Sequence, residues 1–245
     1  MAFGGRVGAA RLFAAACFLG CLLSVSPAFG EDDDSHLMLF SGRDLWRNGF
    51  FGFGGMLLSP GGFDQEGFLL KLLYSGGIYR YRAGDLDDET VIGLEVLGQV
   101  APGWQIKRNH FEAKFFFGPE LATHRLWPDD PGNNLRGRSF GLRFAAELWD
   151  EPTPQSMIAA DASLSSIGDS LSARIAVGWW MLDQFYFGPE TQLYGADGYR
   201  QYRLGLHITS MKTGDVEWSA ACGWAVDTDG QSGPYVRLSL SQRIY

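Results

Sequence analysis

From His110 to Glu120 the chain separates two kinds of residue by parity. Phe111, Ala113, Phe115 and Phe117 share one parity, and Glu112, Lys114 and Glu120 the other. Successive side chains of an extended strand point to opposite faces, so this period of two reads as a β-strand with one oily and one charged side. The pattern recurs. Thr90, Ile92, Leu94 and Val96 oppose Gly93, Glu95 and Gln99, while Phe140, Leu142, Phe144 and Leu148 oppose Ser139, Arg143 and Glu147. Leu171, Ala173, Ile175, Val177 and Trp179 oppose Ser172 and Arg174, and Tyr202, Leu204, Leu206 and Ile208 oppose Gln201, Arg203 and His207. Val236, Leu238, Leu240 and Ile244 oppose Arg237, Ser239, Ser241 and Arg243. No helical period competes over a long window. The oily parity carries no charge in these windows, as lipid contact demands, because Arg or Lys at mid-bilayer costs about 2–4 kcal/mol.

An oily face of this kind has two uses. In a membrane barrel it meets lipid and the charged face lines the lumen; in a soluble fold it fills the interior. Turn chemistry cuts the chain into strands expected near 37–45, 48–58, 66–82, 89–101, 110–125, 135–149, 155–165, 170–181, 183–194, 199–210, 214–226 and 233–244. The breaks are Ser59-Pro60-Gly61-Gly62, Asp85-Leu86-Asp87-Asp88, Pro128 to Asn134, Asp150 to Pro154, Gly195-Ala196-Asp197-Gly198, Lys212-Thr213-Gly214-Asp215 and Asp227 to Gly230. About twelve strands is an even number, as a closed bacterial barrel requires. The expected fold is therefore all-β, a single antiparallel transmembrane-type β-barrel of about 12 strands over residues 31–245. The alternative is a soluble periplasmic β-sandwich or barrel with the oily face turned inward. The 33 glycines and 14% aromatic content suit many strands, tight turns and aromatic girdles at a bilayer interface. Trp179, Trp180, Trp218, Trp224, Tyr194, Tyr199 and Tyr202 are the girdle candidates. Tyr245 supplies the terminal aromatic common in such barrels, but in the parity of Arg243. Either a bulge resets the register there or Tyr245 is only a chain end.

Residues 1–30 read as a signal peptide. Arg6 and Arg11 precede an apolar stretch from Leu12 to Val25, and Ser26-Pro27-Ala28 or Ala28-Phe29-Gly30 offers small residues for cleavage. Removal takes away Cys17 and Cys21, so Cys222 has no internal disulfide partner. The net charge of −8 excludes an ordinary nucleic-acid binder, which carries a basic face.

The candidate chemistry lies on the polar face. Phe117-Gly118-Pro119-Glu120 recurs as Phe187-Gly188-Pro189-Glu190. Glu120 and Glu190 read either as a duplicated strand element, bent by Gly-Pro and with Glu paired to a neighbouring Arg, or as lumenal carboxylates that bind sugar hydroxyls or gate a channel; paired carboxylates can also run glycoside hydrolysis. Arg143, Glu147, Arg174 and Arg203 are the further residues expected to line the lumen or contact a ligand, and opposite charges there can pair across a narrow bore. His207 is the histidine centred in a strand on that face; a surface hydrolase would need it beside a Ser and an acid. No Gly-x-Ser-x-Gly elbow, metal-ligand spacing or phosphate loop is present, so no catalytic residue, metal or cofactor is expected.

The second half carries a resemblance. Phe187-Gly188-Pro189-Glu190, Gly198-Tyr199-Arg200-Gln201-Tyr202-Arg203-Leu204-Gly205, Trp218-Ser219-Ala220-Ala221 with Gly223-Trp224, and Ser232-Gly233-Pro234-Tyr235 together resemble the cellulose biosynthesis protein BcsS family of Gram-negative bacteria. The resemblance spans roughly 37–245, brings no catalytic residues and implies a secreted envelope protein accessory to cellulose production; joined to the barrel reading, the expectation is a non-enzymatic outer-membrane barrel supporting cellulose biosynthesis or secretion. Outer-membrane lipid, and cellulose or components of the cellulose synthase complex, are then its expected partners. A general outer-membrane channel for small solutes and an outer-membrane lipid or glycan hydrolase are the competing readings, with the periplasm as the alternative location.

Overall fold

The computed structural model describes residues 35–83 and 89–244. Twelve strands follow one another: β1 (Leu37–Trp46), β2 (Gly49–Leu58), β3 (Gly67–Ala83), β4 (Glu89–Arg108), β5 (Phe111–Trp127), β6 (Gly137–Thr153), β7 (Ser156–Ser165), β8 (Leu171–Met181), β9 (Phe185–Ala196), β10 (Tyr199–Thr213), β11 (Val216–Asp227) and β12 (Ser232–Ile244). Each pairs antiparallel with its neighbours in sequence, and β1 closes on β12 from Leu37↔Ile244 to Trp46↔Tyr235. Closure leaves no strand edge unpaired, the condition for spanning a bilayer with strands. The expected leader 1–30, the turn Asp85 to Asp88 and Tyr245 lie outside the described residues.

The oily parity faces out. Ile92, Val96, Phe117, Phe140, Leu164, Ile175, Leu204 and Val236 are all exposed, and the charged parity points into the barrel. A sandwich or soluble barrel would bury the first set; the closed barrel turns it outward. The aromatic candidates divide. Trp179, Trp224 and Tyr202 face out, joined by Trp104 and Trp127, whereas Tyr194 is packed inside the barrel under Arg203 and Trp180 against Tyr186.

The largest boundary difference is at β4, which runs through Pro102-Gly103 to Arg108 instead of stopping at 101. The β4–β5 ladder pauses between Gln99↔Glu120 and Gly103↔Phe116, then resumes in the same register. Pro102 and Pro119 both fall in that interval, where a missing N–H interrupts no ladder bond. The β8–β9 ladder pauses likewise between Ala176↔Glu190 and Trp179↔Phe187. Both Phe-Gly-Pro-Glu copies therefore interrupt the ladder without adding a residue. True bulges lie elsewhere, between Ile208 and Met211 in β10 and between Asp150 and Thr153 in β6.

The two ends differ. The end carrying Leu37 and Ile244 has turns of two or three residues, apart from 59–66. That segment is more than a turn. Ser59 N donates to His36 O, Phe63 N to Ser35 O, and Gln105 Nε2 to the carbonyls of Phe63 and Gln65 at 2.8 and 2.9 Å. These bonds fold it back, so that Phe63 packs with Leu57, Leu69, Ala101 and Phe116. At the opposite end 128–136 is the longest described loop. Tyr81 OH donates to Asp130 Oδ2 at 2.7 Å, and Asn133 Nδ2 donates to Tyr81 OH at 2.9 Å, which ties that loop onto β3.

Candidate functional site: the charged lumen

Glu120 is buried on the inner face of β5. It accepts from Arg143 Nε of β6 at 2.6 Å and from the Ser165 hydroxyl of β7. Arg143 also donates to Ser163 Oγ at 3.0 Å. The local cause is the Gly-Pro that precedes the glutamate. Gly118 turns its missing side chain toward β4, where a Cβ would collide with Val100 O, so the two strands approach closely. The same is true of Gly188 against Val177 O in β8.

Glu190 is the hub of a larger network. It accepts from Arg174 Nε at 3.0 Å, Arg237 Nη2 at 2.7 Å, Tyr235 OH at 3.0 Å and Gln192 Nε2. Arg174 continues to Asp161 at 2.9 Å. A buried carboxylate is tolerable only when charges and hydrogen bonds around it repay its desolvation, and this one has two guanidiniums. Arg203 makes a bidentate pair with Asp44 at 2.7 and 2.9 Å, and donates to Gln201 Oε1 at 2.6 Å. Its guanidinium also lies over the rings of Tyr194 and Tyr235, 4.7 and 5.0 Å from their centroids. Glu147 pairs with Lys71, whose ammonium sits 4.1 Å from the Phe116 ring centroid.

All seven side chains assigned to the polar face thus point into the barrel, in separate groupings. Glu120 meets Arg143 and Glu190 meets Arg174, but the two glutamates bond to different partners. Glu147 takes a lysine and Arg203 an aspartate, neither of which the alternation singled out. Lys71, Asp44 and Asp161 were the residues missed; Arg237, on the polar parity of the last strand, and Tyr235, in a motif, were not among the site candidates. Lys71–Glu147, Arg237–Glu190 and Arg203–Asp44 each join strands three apart around the barrel, so they run as chords through the bore. Sequence parity placed these side chains inside; only closure decides which of them meet.

His207 does not sit in a hydrolytic triad. Its Nε2 lies 3.1 Å from Val177 O and its Nδ1 2.8 Å from Thr209 Oγ1. A carbonyl only accepts, so Nε2 carries the proton, and a neutral ring satisfies both contacts. Val177 is the residue at the β8–β9 gap, and Gly188, paired with His207, has no side chain to block the reach. The ring is 1% exposed.

In fold the chain is similar to an outer membrane channel from Pseudomonas putida F1, with 8% identity over 89% of this chain and 100% of that chain and a TM-score of 0.56. LpxR from Salmonella typhimurium matches with 10% identity over 84% of this chain and 100% of that one, at a TM-score of 0.49. The KdgM porin matches with 10% identity over 85% and 99%, at 0.44. At these identities the likeness is one of fold. No curated protein matches the chain. The family described as cellulose biosynthesis protein BcsS matches residues 38–244, the whole barrel but for its first residue, and the chain belongs to that family.

Proposed function

We propose that the protein is a non-enzymatic outer-membrane barrel, exported by residues 1–30 as a cleaved signal peptide, that supports cellulose production from the cell envelope. Family membership over residues 38–244 supports the link to cellulose, and the exposed apolar belt supports the bilayer. The observation that carries the non-enzymatic, non-porin reading is the filled bore. Three charged chords cross it, and Phe63 packs inside the terminal end. A solute channel needs a continuous wet path, which those chords oppose. A hydrolase needs an accessible base, and His207 has both nitrogens engaged and its ring buried. In this reading Glu120, Arg143, Glu147, Arg174, Glu190 and Arg203 close the lumen and stiffen the barrel, and the partner surfaces lie on its loops and outer wall. The partners are outer-membrane lipid, and cellulose or the cellulose synthase machinery.

The test is fractionation followed by deletion. The reading expects recovery in the outer-membrane fraction, a gel mobility that shifts on boiling, and less extracellular cellulose when the chain is deleted. Recovery in the soluble periplasm with no shift would defeat the membrane placement. Unchanged cellulose with the barrel correctly inserted would defeat the cellulose role alone. N-terminal sequencing of the mature chain checks the signal: a start near residue 31 supports it, and a retained Arg6 removes it.

A further inference from the structure

A crevice lies on the outer side of the ladder pause at the first Phe-Gly-Pro-Glu copy. Gly98, Val100, Pro119, Leu121 and Phe140 line a crevice of about 190 Å³ with Gln99 and Glu120 at its floor. Gly98, Leu121 and Phe140 form one cross-strand row, and Val100 stands opposite Pro119 within the gap. Gly98 leaves open space where a side chain would stand. The lining is apolar, and Leu121 and Phe140 are 53% and 75% exposed. At the second copy the position matching Gly98 is Ile175, paired with Thr191, so a branched side chain stands where the first copy has none.

Directly above this crevice, toward the end opposite the chain termini, the outer face turns cationic. Arg138 is two residues above Phe140 on the same face of β6, about 7 Å along the strand. It pairs with Thr123, so Arg125 stands diagonally beside it on β5. Arg80 and Arg82 continue the cluster on β3, with Arg80 opposite Ile92 of β4. All four are exposed. Arg125 and Arg138 form no ion pair among the described residues, and among the described residues of β3–β6 no acid shares the outer face from Ile78, Leu94, Leu121 and Phe140 upward; Asp129, in the loop after β5, pairs with Arg136. In a chain of net charge −8 this concentration of arginine is local. Arginines flanking an apolar belt match the depth of lipid headgroups, and guanidinium is suited to bidentate phosphate binding.

We propose that this wall of β3–β6 binds one phosphorylated glycolipid of the outer leaflet, with phosphate on Arg125 and Arg138 and an acyl chain in the Gly98–Pro119 crevice. The proposal rests on the outer-membrane placement above. Charge complementarity selects the headgroup, and the apolar crevice beneath it selects an acylated ligand over a free anion.

The test uses the full-length barrel, purified in detergent and titrated with bisphosphorylated lipid A, with bound lipid counted by native mass spectrometry. Parallel titrations use dephosphorylated lipid A and inorganic phosphate. The proposal expects one retained lipid A, at least tenfold weaker binding in Arg125→Gln/Arg138→Gln, and several-fold weaker binding in Gly98→Ile. It also expects at least tenfold weaker binding of the dephosphorylated lipid, and no displacement by millimolar phosphate. Each variant is checked for its boiling-dependent mobility shift, so that loss of fold is not read as loss of binding. Equal binding by the double variant, equal binding of the dephosphorylated lipid, or displacement by phosphate alone overturns it. A heat-modifiable barrel that retains no lipid sinks this inference and spares the membrane placement; a soluble chain sinks both.

Discussion

The two Phe-Gly-Pro-Glu copies perform the same backbone act with different electrostatics. In each, a glycine brings two strands together, a proline falls in the ladder gap, and a glutamate points inward opposite a glycine of the next strand, Gly141 or Gly205. They differ at two flanking positions. Gly118 pairs with Arg143, whereas Gly188 pairs with His207. On the other side, Leu97 faces Ala122 in the first copy, while Arg174 faces Gln192 in the second. The cation has moved from the strand after the motif to the strand before it. A buried carboxylate needs a cation but does not dictate which neighbour supplies it. Where the arginine is displaced, a neutral histidine takes the vacant position and caps the carbonyl that the gap exposes. The second copy also gains Arg237 and Tyr235 from β12, which turns a local pair into a cross-barrel network. On the lipid side the first copy has its crevice beside Gly98, and the second carries Ile175 at the matching position.

The strongest way to break this pairing is at the shared glycines. Gly118→Val and Gly188→Val each drive a side chain into a backbone oxygen of the adjoining strand. Both are expected to cost more than about 4 kcal/mol and to abolish the mobility shift in refolding assays. If either variant folds like wild type, close strand approach is not what the motif is for. Next comes Glu190→Gln against Glu120→Gln. Removing the first charge leaves Arg237 without an acid and takes from Arg174 one of its two, while removing the second leaves Arg143 without its acid. Losses of about 3–5 kcal/mol are expected for Glu190→Gln and a smaller loss for Glu120→Gln, read from urea unfolding in micelles. The reverse order would contradict the hub assignment.

Arg143→His is expected to destabilise the first copy. Adding Leu97→Arg, which reproduces the arrangement of the second copy, is expected to recover about 1–2 kcal/mol in a double-mutant cycle. Strict additivity of the two changes would mean that the copies are not electrostatically equivalent. The smallest effect is expected from His207→Gln, which can still donate to Val177 O. A loss of about 1 kcal/mol with cellulose output unchanged fits a packed histidine. Loss of cellulose in a barrel that still shifts on boiling would return His207 to the functional residues.

Much of this was legible in the chain. Strict parity assigned the strands and the inward residues, because a pleated strand leaves a side chain only two directions. The turn residues delimited twelve strands, most to within a residue or two. The strand expected over 89–101 runs on to Arg108, through Pro102, because that proline falls where the β4–β5 ladder already pauses, opposite the segment carrying Pro119 in the neighbouring strand. Likewise Ser59-Pro60-Gly61-Gly62 signalled a turn, but not that Phe63 would fold back into the barrel. Arg125 and Arg138 lie just beyond the windows of clean alternation in β5 and β6, and Arg80 and Arg82 are in a strand with no such window, so the cationic cluster is visible only when the strands lie side by side.

By itself, then, the sequence determined the secondary structure, the number of strands and the side of the wall on which each residue lies, because these follow from a two-residue period and local turn chemistry. Only the closed barrel decided which charges meet. Lys71 and Glu147, Arg203 and Asp44, and Arg237 and Glu190 are brought together by register and closure, with separations of 76, 159 and 47 residues. The reason is geometric: parity is a property of one strand, whereas a contact across the bore depends on the shared register of all twelve.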